Sequence, residues 1–410
     1  LLNRRRFLAA TGVGALGLTG CRFWLDEGLW NDCGPVELPP ALARHALMAR
    51  IWHDIESVQL WDCHVHLLGS TDGGSGAWLN PRMDSLRHPV ERLQKAFYLN
   101  AACVEDVAGM DALFVERLLM QHKAFPKGSK LMLLAFDWHH DTRGRRVEDL
   151  SPFHTPNEYA QRVARAYPDR FEWIASVHPY REDAVSALET AARGGARALK
   201  WLPAAQGIDP ADTRCDRLYA TLARLKLPLL THAGQEMAVD GGKMQDYGNP
   251  LRLRRALDAG VRVIVAHCAS LGDGVDLDRG PDGPLVSNFK LFVRLMDEPR
   301  YDRFLYGDLA AVGQRLRAGD VLRTLVTRHE WHARLVYGSD YPLPGVLPIF
   351  SPRTLVAEGF LGQEEAVFLS ELRRYNPLLF DFALKRLLAV DGQGFDPAVF
   401  AARRVFSVGR

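Results

Sequence analysis

Eight short apolar runs, separated by helical stretches, constrain this chain more than any other feature. They are Val58 to His64, Lys130 to Asp137, Phe171 to Val177, Ala196 to Leu202, Leu227 to His232, Val261 to His267, Arg303 to Asp308 and Arg334 to Asp340. Strands that alternate with helices form βαβ units and a parallel sheet. The clearest intervening helix is Glu182 to Arg193, acidic at its start and stopped by Gly194-Gly195. Arg214 to Leu225 and Leu251 to Ala259 have the same character. Eight such units over roughly 290 residues predict an α/β fold, the (β/α)8 TIM barrel, whose usual length is about 250 residues plus insertions. A doubly wound open sheet is the competitor. It calls for a Gly-rich phosphate loop after a strand, and the sequence has none.

With 410 residues, 47% of them hydrophobic, the chain has the material for one large domain or two smaller ones. The net charge is +2 and the charges are interleaved, so nothing points to nucleic acid as a partner. The barrel is expected over 55–390. Residues 67–129 form an insertion after the first strand, with a Gly-rich segment, Thr71 to Ala77, and two helical stretches. Residues 362–403 read as largely helical and close the end of the barrel. A C-terminal tail occupies 391–410.

The N-terminus reads separately. Asn3-Arg4-Arg5-Arg6-Phe7-Leu8 precedes a short apolar stretch ending Leu18-Thr19-Gly20-Cys21. The pattern over 1–20 resembles a twin-arginine export signal joined to a lipobox. Its apolar part is too short to span a bilayer comfortably. The expectation is an exported protein, lipidated at Cys21 and held on the periplasmic side of a membrane by that anchor alone. A tether and a leading helix, Ala41 to Asp54, then fill 21–54. Five cysteines remain, an odd number with no CxxC pair, so no disulfide framework is expected. Strand alternation predicts that Cys63 and Cys268 face away from the histidines beside them, as small buried hydrophobes.

The ends of the runs carry the chemistry. Asp62-Cys63-His64-Val65-His66 closes the first, and two histidines two apart on a strand share a face. Lys200 ends the fourth run, His232 the fifth, His267 the sixth and Asp340 the eighth. In a barrel these ends converge on one mouth, where active sites form. Three histidines and one carboxylate suit zinc or another borderline divalent ion. Asp62 reads as a group that fixes local backbone or supports a ligand.

His-x-His after the first strand, Thr231-His-Ala-Gly234, Ala266-His-Cys268 and Gly338-Ser-Asp-Tyr-Pro342 resemble the amidohydrolase superfamily. The narrower resemblance is to its amidohydrolase-related branch, which includes aminocarboxymuconate-semialdehyde decarboxylase. It covers about 55–390, and Asn376-Pro377-Leu-Leu-Phe380 is similar to that branch's closing helix. The resemblance implies that His64, His66, His232 and Asp340 bind metal and that Asp340 also shuttles a proton. It implies that His267 is either a second-metal ligand or an acid–base and oxyanion-stabilising group. In some members a lysine at the end of strand four is carboxylated and bridges two metals. In the branch this chain most resembles, a lysine followed by an apolar residue and Pro is common there and usually not a bridge; Lys200-Trp-Leu-Pro203 fits that pattern, which favours one divalent ion, Zn2+, and a substrate-anion or ion-pair role for Lys200.

Arg181 is a candidate for holding a substrate carboxylate, and Glu236 for orienting a ligand. His139 and His140 follow the second strand and read as loop residues. The activity expected is that of a metal-dependent hydrolase, with metal-activated water attacking an ester, lactone or amide carbonyl of a small molecule. The rivals are a non-oxidative decarboxylase on the same ligands and a non-catalytic binding lipoprotein.

Overall fold

The computed structural model describes residues 27–239, 242 and 244–407. The expected export signal over 1–20 and the expected lipidation site, Cys21, lie outside the described residues. All eight expected runs contain strands: β1 Trp61–His66, β2 Lys130–Leu134, β3 Phe171–Ile174, β4 Leu199–Trp201, β5 Leu229–His232, β6 Val263–Ala266, β7 Leu305–Asp308 and β8 Leu335–Val336. They pair in parallel as two arcs, β1-β2-β3 and β4-β5-β6-β7-β8. The arcs meet at both seams through parallel bridges, Ala175 with Leu199 and Val65 with Tyr341. The chain is a (β/α)8 barrel.

The strands are apolar on both faces because both faces are covered. Leu131, Leu133, Leu229, Val263, Val265 and Leu305 pack in the large core beneath the helices. Their neighbours Met132, Ile174, Leu230, Ile264 and Val336 fill the barrel interior. Ala402, Val405 and Phe406 join that inner cluster. The amide of Arg403 donates to Gln59 O and the Arg262 guanidinium to Val405 O, which seats the C-terminal segment against the N-terminal ends of the strands. What reads as a tail is thus a plug, leaving the opposite end open.

The helices that matter for the site are α1 Ala46–Trp52, α2 Pro89–Ala102, α3 Met110–His122, α4 Ala184–Arg193, α5 Asp216–Leu225, α6 Arg254–Asp258 and α7 Pro377–Leu387. The insertion holds α2 and α3, as expected. Helix α6 is shorter than its apolar pattern because Pro250–Leu253 winds as 3-10 helix. Among the described residues no helix is long and apolar enough to cross a membrane.

Two expectations are corrected. Cys33 and Cys103 form a disulfide across 70 residues, with Cα atoms 5.3 Å apart. Helix α2 folds back on the N-terminal segment, so the described part of the tether is docked. Trp30 stacks on Phe97 at 4.6 Å, and the Asn31 amide donates to Asn100 Oδ1 at 2.8 Å. Cysteine spacing carries no trace of this contact. Cys63, Cys215 and Cys268 are free and buried. Cys63 nevertheless packs in the barrel interior with Trp61 rather than facing outward. The cause is a register shift in β1 between Asp62 and Val65, which breaks simple alternation.

Candidate metal centre

His64 and His66 leave β1 on the mouth side, and Asp340 follows β8 beside them. The Nε2 atoms of His64 and His66 lie 3.3 and 3.2 Å from Asp340 Oδ1. These three side chains form a group compact enough to hold one ion. The backbone sets this proximity: the Asp340 amide donates to His64 O at 2.8 Å, and Asp340 itself sits at φ 63°. Asp62 plays the local role expected of it. Its Oδ1 accepts from the amides of His64 at 3.1 Å and Ser339 at 2.9 Å, tying β1 to the segment that carries Asp340.

His232 ends β5 and is buried, and its Nε2 has no hydrogen-bond partner among the described residues. His267 follows β6 and opens a run, His267 to Ala269, with φ of 56°, 49° and 50°. Three successive non-glycine residues in left-handed backbone are strained, at about 1–3 kcal/mol each, and strain of this kind clusters at functional sites. The His267 ring stands 5.1 Å from that of His64 and 5.2 Å from that of His232. Its Nε2 lies 3.9 Å from Asp340 Oδ2.

Each of the three buried histidines at the mouth has an oxygen near Nδ1. For His64 it is Asp308 Oδ2 at 2.8 Å, for His267 it is Ala310 O at 2.9 Å, and for His232 it is Glu236 Oε2 at 3.4 Å. An Nδ1–H held by an acceptor leaves Nε2 as a lone pair aimed into the mouth. Burial pushes the imidazoles toward the neutral, ligating form, well down for His232 and to about 3 for His267. Burial alone would raise the Asp340 carboxyl, but His64, His267 and the hydrogen bond from His66 overcome it and hold it well below the usual range. Neutral imidazoles beside a fixed carboxylate, with one orphaned buried Nε2, fit a divalent cation.

Lys200, at the end of β4, is buried with Nζ 3.1 Å from His64 Nε2. Burial lowers its pKa. Arg181 is not brought to this cluster. It donates to Asp137 at 2.9 Å and pairs with Asp183, lining a separate polar groove. His139 and His140 also lie outside it, bonded to the carbonyls of Ala205 and Trp138.

Two residues of the candidate site are not marked by the sequence motifs. Asp308, at the end of β7, accepts from His64 Nδ1 and, through Oδ1, from the His267 amide at 2.7 Å. It is fully buried; burial alone would raise its carboxyl, and His64 overcomes this to hold it at about 2. Its signal was a carboxylate ending a strand run, the same that marked Asp340. Arg317 lies in the loop after β7 and shares a cavity with His232, His267 and Asp340.

A (β/α)8 barrel with a His-x-His strand, two further histidines and an aspartate at its open end defines a barrel enzyme with a candidate metal centre. The amidohydrolase family model matches residues 61–350, and the chain belongs to that family of metal-dependent enzymes. No curated protein matches it by sequence. Among solved structures it is similar to a TIM-barrel protein from Bordetella bronchiseptica, with 16% identity, a TM-score of 0.44, and 71% of this chain and 88% of that one covered. It is also similar to a putative 2-pyrone-4,6-dicarboxylic acid hydrolase from Pseudomonas putida, with 15% identity, a TM-score of 0.43, and 86% and 98% covered. A third is 5-carboxyvanillate decarboxylase from Sphingomonas paucimobilis, with 10% identity, a TM-score of 0.39, and 81% and 100% covered.

Proposed function

We propose that this amidohydrolase is a hydrolase that opens an ester, lactone or amide bond of a small molecule. The observation that carries the reading is the placement of Asp340, with Oδ1 against His64 and His66 and Oδ2 toward His267. His64, His66, His232 and Asp340 would hold one ion, and zinc suits that donor set. When bound, such an ion supplies Lewis-acid charge that acidifies water and polarises a carbonyl. Asp340, ionised at rest, takes the proton of the attacking water and is neutral until it passes that proton on. His267, with its Nδ1–H engaged by Ala310 O, offers Nε2 as the next proton acceptor. The proton then returns to the leaving group. This makes His267 an acid–base group rather than the oxyanion donor also considered from the sequence.

The test is a panel of small esters, lactones, amides and aryl carboxylates offered to the zinc-loaded protein, with acid release and carbon dioxide followed together. Acid release from a carbonyl substrate supports the proposal. Carbon dioxide from a carboxylate, with no hydrolysis, would replace it by the decarboxylase reading.

The proposal extends to location: export, and a lipid anchor at Cys21 on the periplasmic side. The Cys33–Cys103 disulfide supports it, since such bonds persist in oxidising compartments. Changing Cys21 to Ala should release the protein from membranes. Unaltered partitioning would count against the anchor.

A further inference from the structure

The mouth opens into a cavity with two lobes that share His232, Glu236, His267 and Asp340. One lobe, about 80 Å³, runs to Lys200, Phe136 and Phe153. The other, about 110 Å³, runs past Phe97, Val346 and Ile349 to Arg317. A small molecule reacting beside Asp340 therefore extends one side toward an aromatic pair and the other toward a guanidinium.

Arg317 is 6% exposed. Its Nη1 donates to Ser270 Oγ at 2.9 Å and its Nε to Gln314 Oε1 at 3.3 Å, both neutral oxygens. Nη2 has no hydrogen-bond partner, and no carboxylate lies within ion-pair distance, among the described residues. The contrast is Arg373, also buried, whose guanidinium is taken up by the carbonyls of Pro344, Val346 and Phe350. A buried guanidinium with an unbonded N–H edge and no contacting anion is costly to keep charged. Asp340, Glu236 and Asp308 act on Arg317 only at longer range. A divalent ion shifts this balance. In formal charges, Arg317 and Lys200 face three carboxylates; the ion turns a small negative excess into a positive one of the same size. One carboxylate restores neutrality, whereas a phosphate dianion would overshoot.

We propose that Arg317 binds a carboxylate carried by the substrate, so that the substrate is a small carboxylic acid with an apolar body and a separate reacting carbonyl. The apolar body lies along Phe97, Val346 and Ile349, and the carboxylate takes the guanidinium fork in place of the missing counter-charge. The inference rests on the metal-centre reading above, because the position of the reacting carbonyl is set by that centre.

Hydroxamates separate the two ideas, since the head group chelates a metal and the tail is free to vary. Binding of a neutral alkyl hydroxamate and of its carboxylate-tailed counterparts of increasing length is measured by calorimetry on the zinc-loaded protein. In the wild type, the tail of best length should tighten binding by about 10- to 100-fold, as expected for a charged hydrogen-bonded pair. Arg317→Met should erase that gain and leave the affinity of the neutral probe unchanged, and Arg317→Lys should keep part of the gain. The proposal is overturned if no tail length tightens binding in the wild type, a comparison that needs no variant to fold. It is also overturned if the gain survives in Arg317→Met. Failure of the neutral hydroxamate to bind would instead remove the metal centre, and this proposal with it.

Discussion

His64 Nδ1 stands 2.8 Å from Asp308 Oδ2, and both side chains are at most 1% exposed. The contact spans 244 residues and joins the first strand of the barrel to the seventh. It fixes which ring nitrogen of His64 faces the mouth. Supporting carboxylates of this kind commonly account for 10- to 100-fold in metal affinity. Asp308→Asn should weaken zinc binding by about that factor, measured by competition with a fluorescent chelator. An unchanged affinity would mean that the contact is structural only.

His267 and His232 should part company when each is changed to Asn. His267→Asn should keep its metal and lose about 10²–10⁴-fold in turnover, the range for an acid–base group. His232→Asn should lose the metal itself. Loss of metal from both would make His267 a ligand.

The disulfide should stabilise the fold. Closing a 70-residue separation removes unfolded-state entropy worth about 4 kcal/mol. Cys33→Ser should therefore lower the urea midpoint substantially, and reduction of the wild type should do the same. Identical midpoints would show that the N-terminal segment contributes nothing through this link.

Behind the site, Lys385 and Asp381 of α7 are fully buried and paired, and Lys385 Nζ also donates to Gly338 O at 2.8 Å. Burial raises the Asp381 carboxyl to about 7, against the pull of Lys385. Lys385→Met should cost about 3–5 kcal/mol in denaturant unfolding, because it strands a buried carboxylate. Asp381→Leu added to it should recover most of the loss. A single variant as stable as wild type would contradict the pairing.

Much of this architecture was legible because burial on both faces writes itself as continuous apolar runs. The candidate ligands were legible because a barrel places strand ends together, so His232, His267 and Asp340 become neighbours once the strands are found. Asp308 was not, since its role depends on the partner that β7 brings to it. Arg317 sits in Gln314-Arg-Leu-Arg317, which reads as a solvated surface until the loop is seen to fold over the mouth. The Cys33–Cys103 pair depended on the return of α2, and the facing of Cys63 on a one-residue irregularity in β1. In each case the missing information was a tertiary contact with no local sequence pattern.

The proposed metal site is a single one, built from His64, His66, His232 and Asp340, with Lys200 not a ligand. It is tested by calorimetric titration of the metal-stripped protein with zinc. One ion should bind per chain, lost in His66→Ala and His232→Ala and retained in Lys200→Ala. No saturable binding, or two ions per chain with one lost in both Lys200→Ala and His267→Asn, would contradict it.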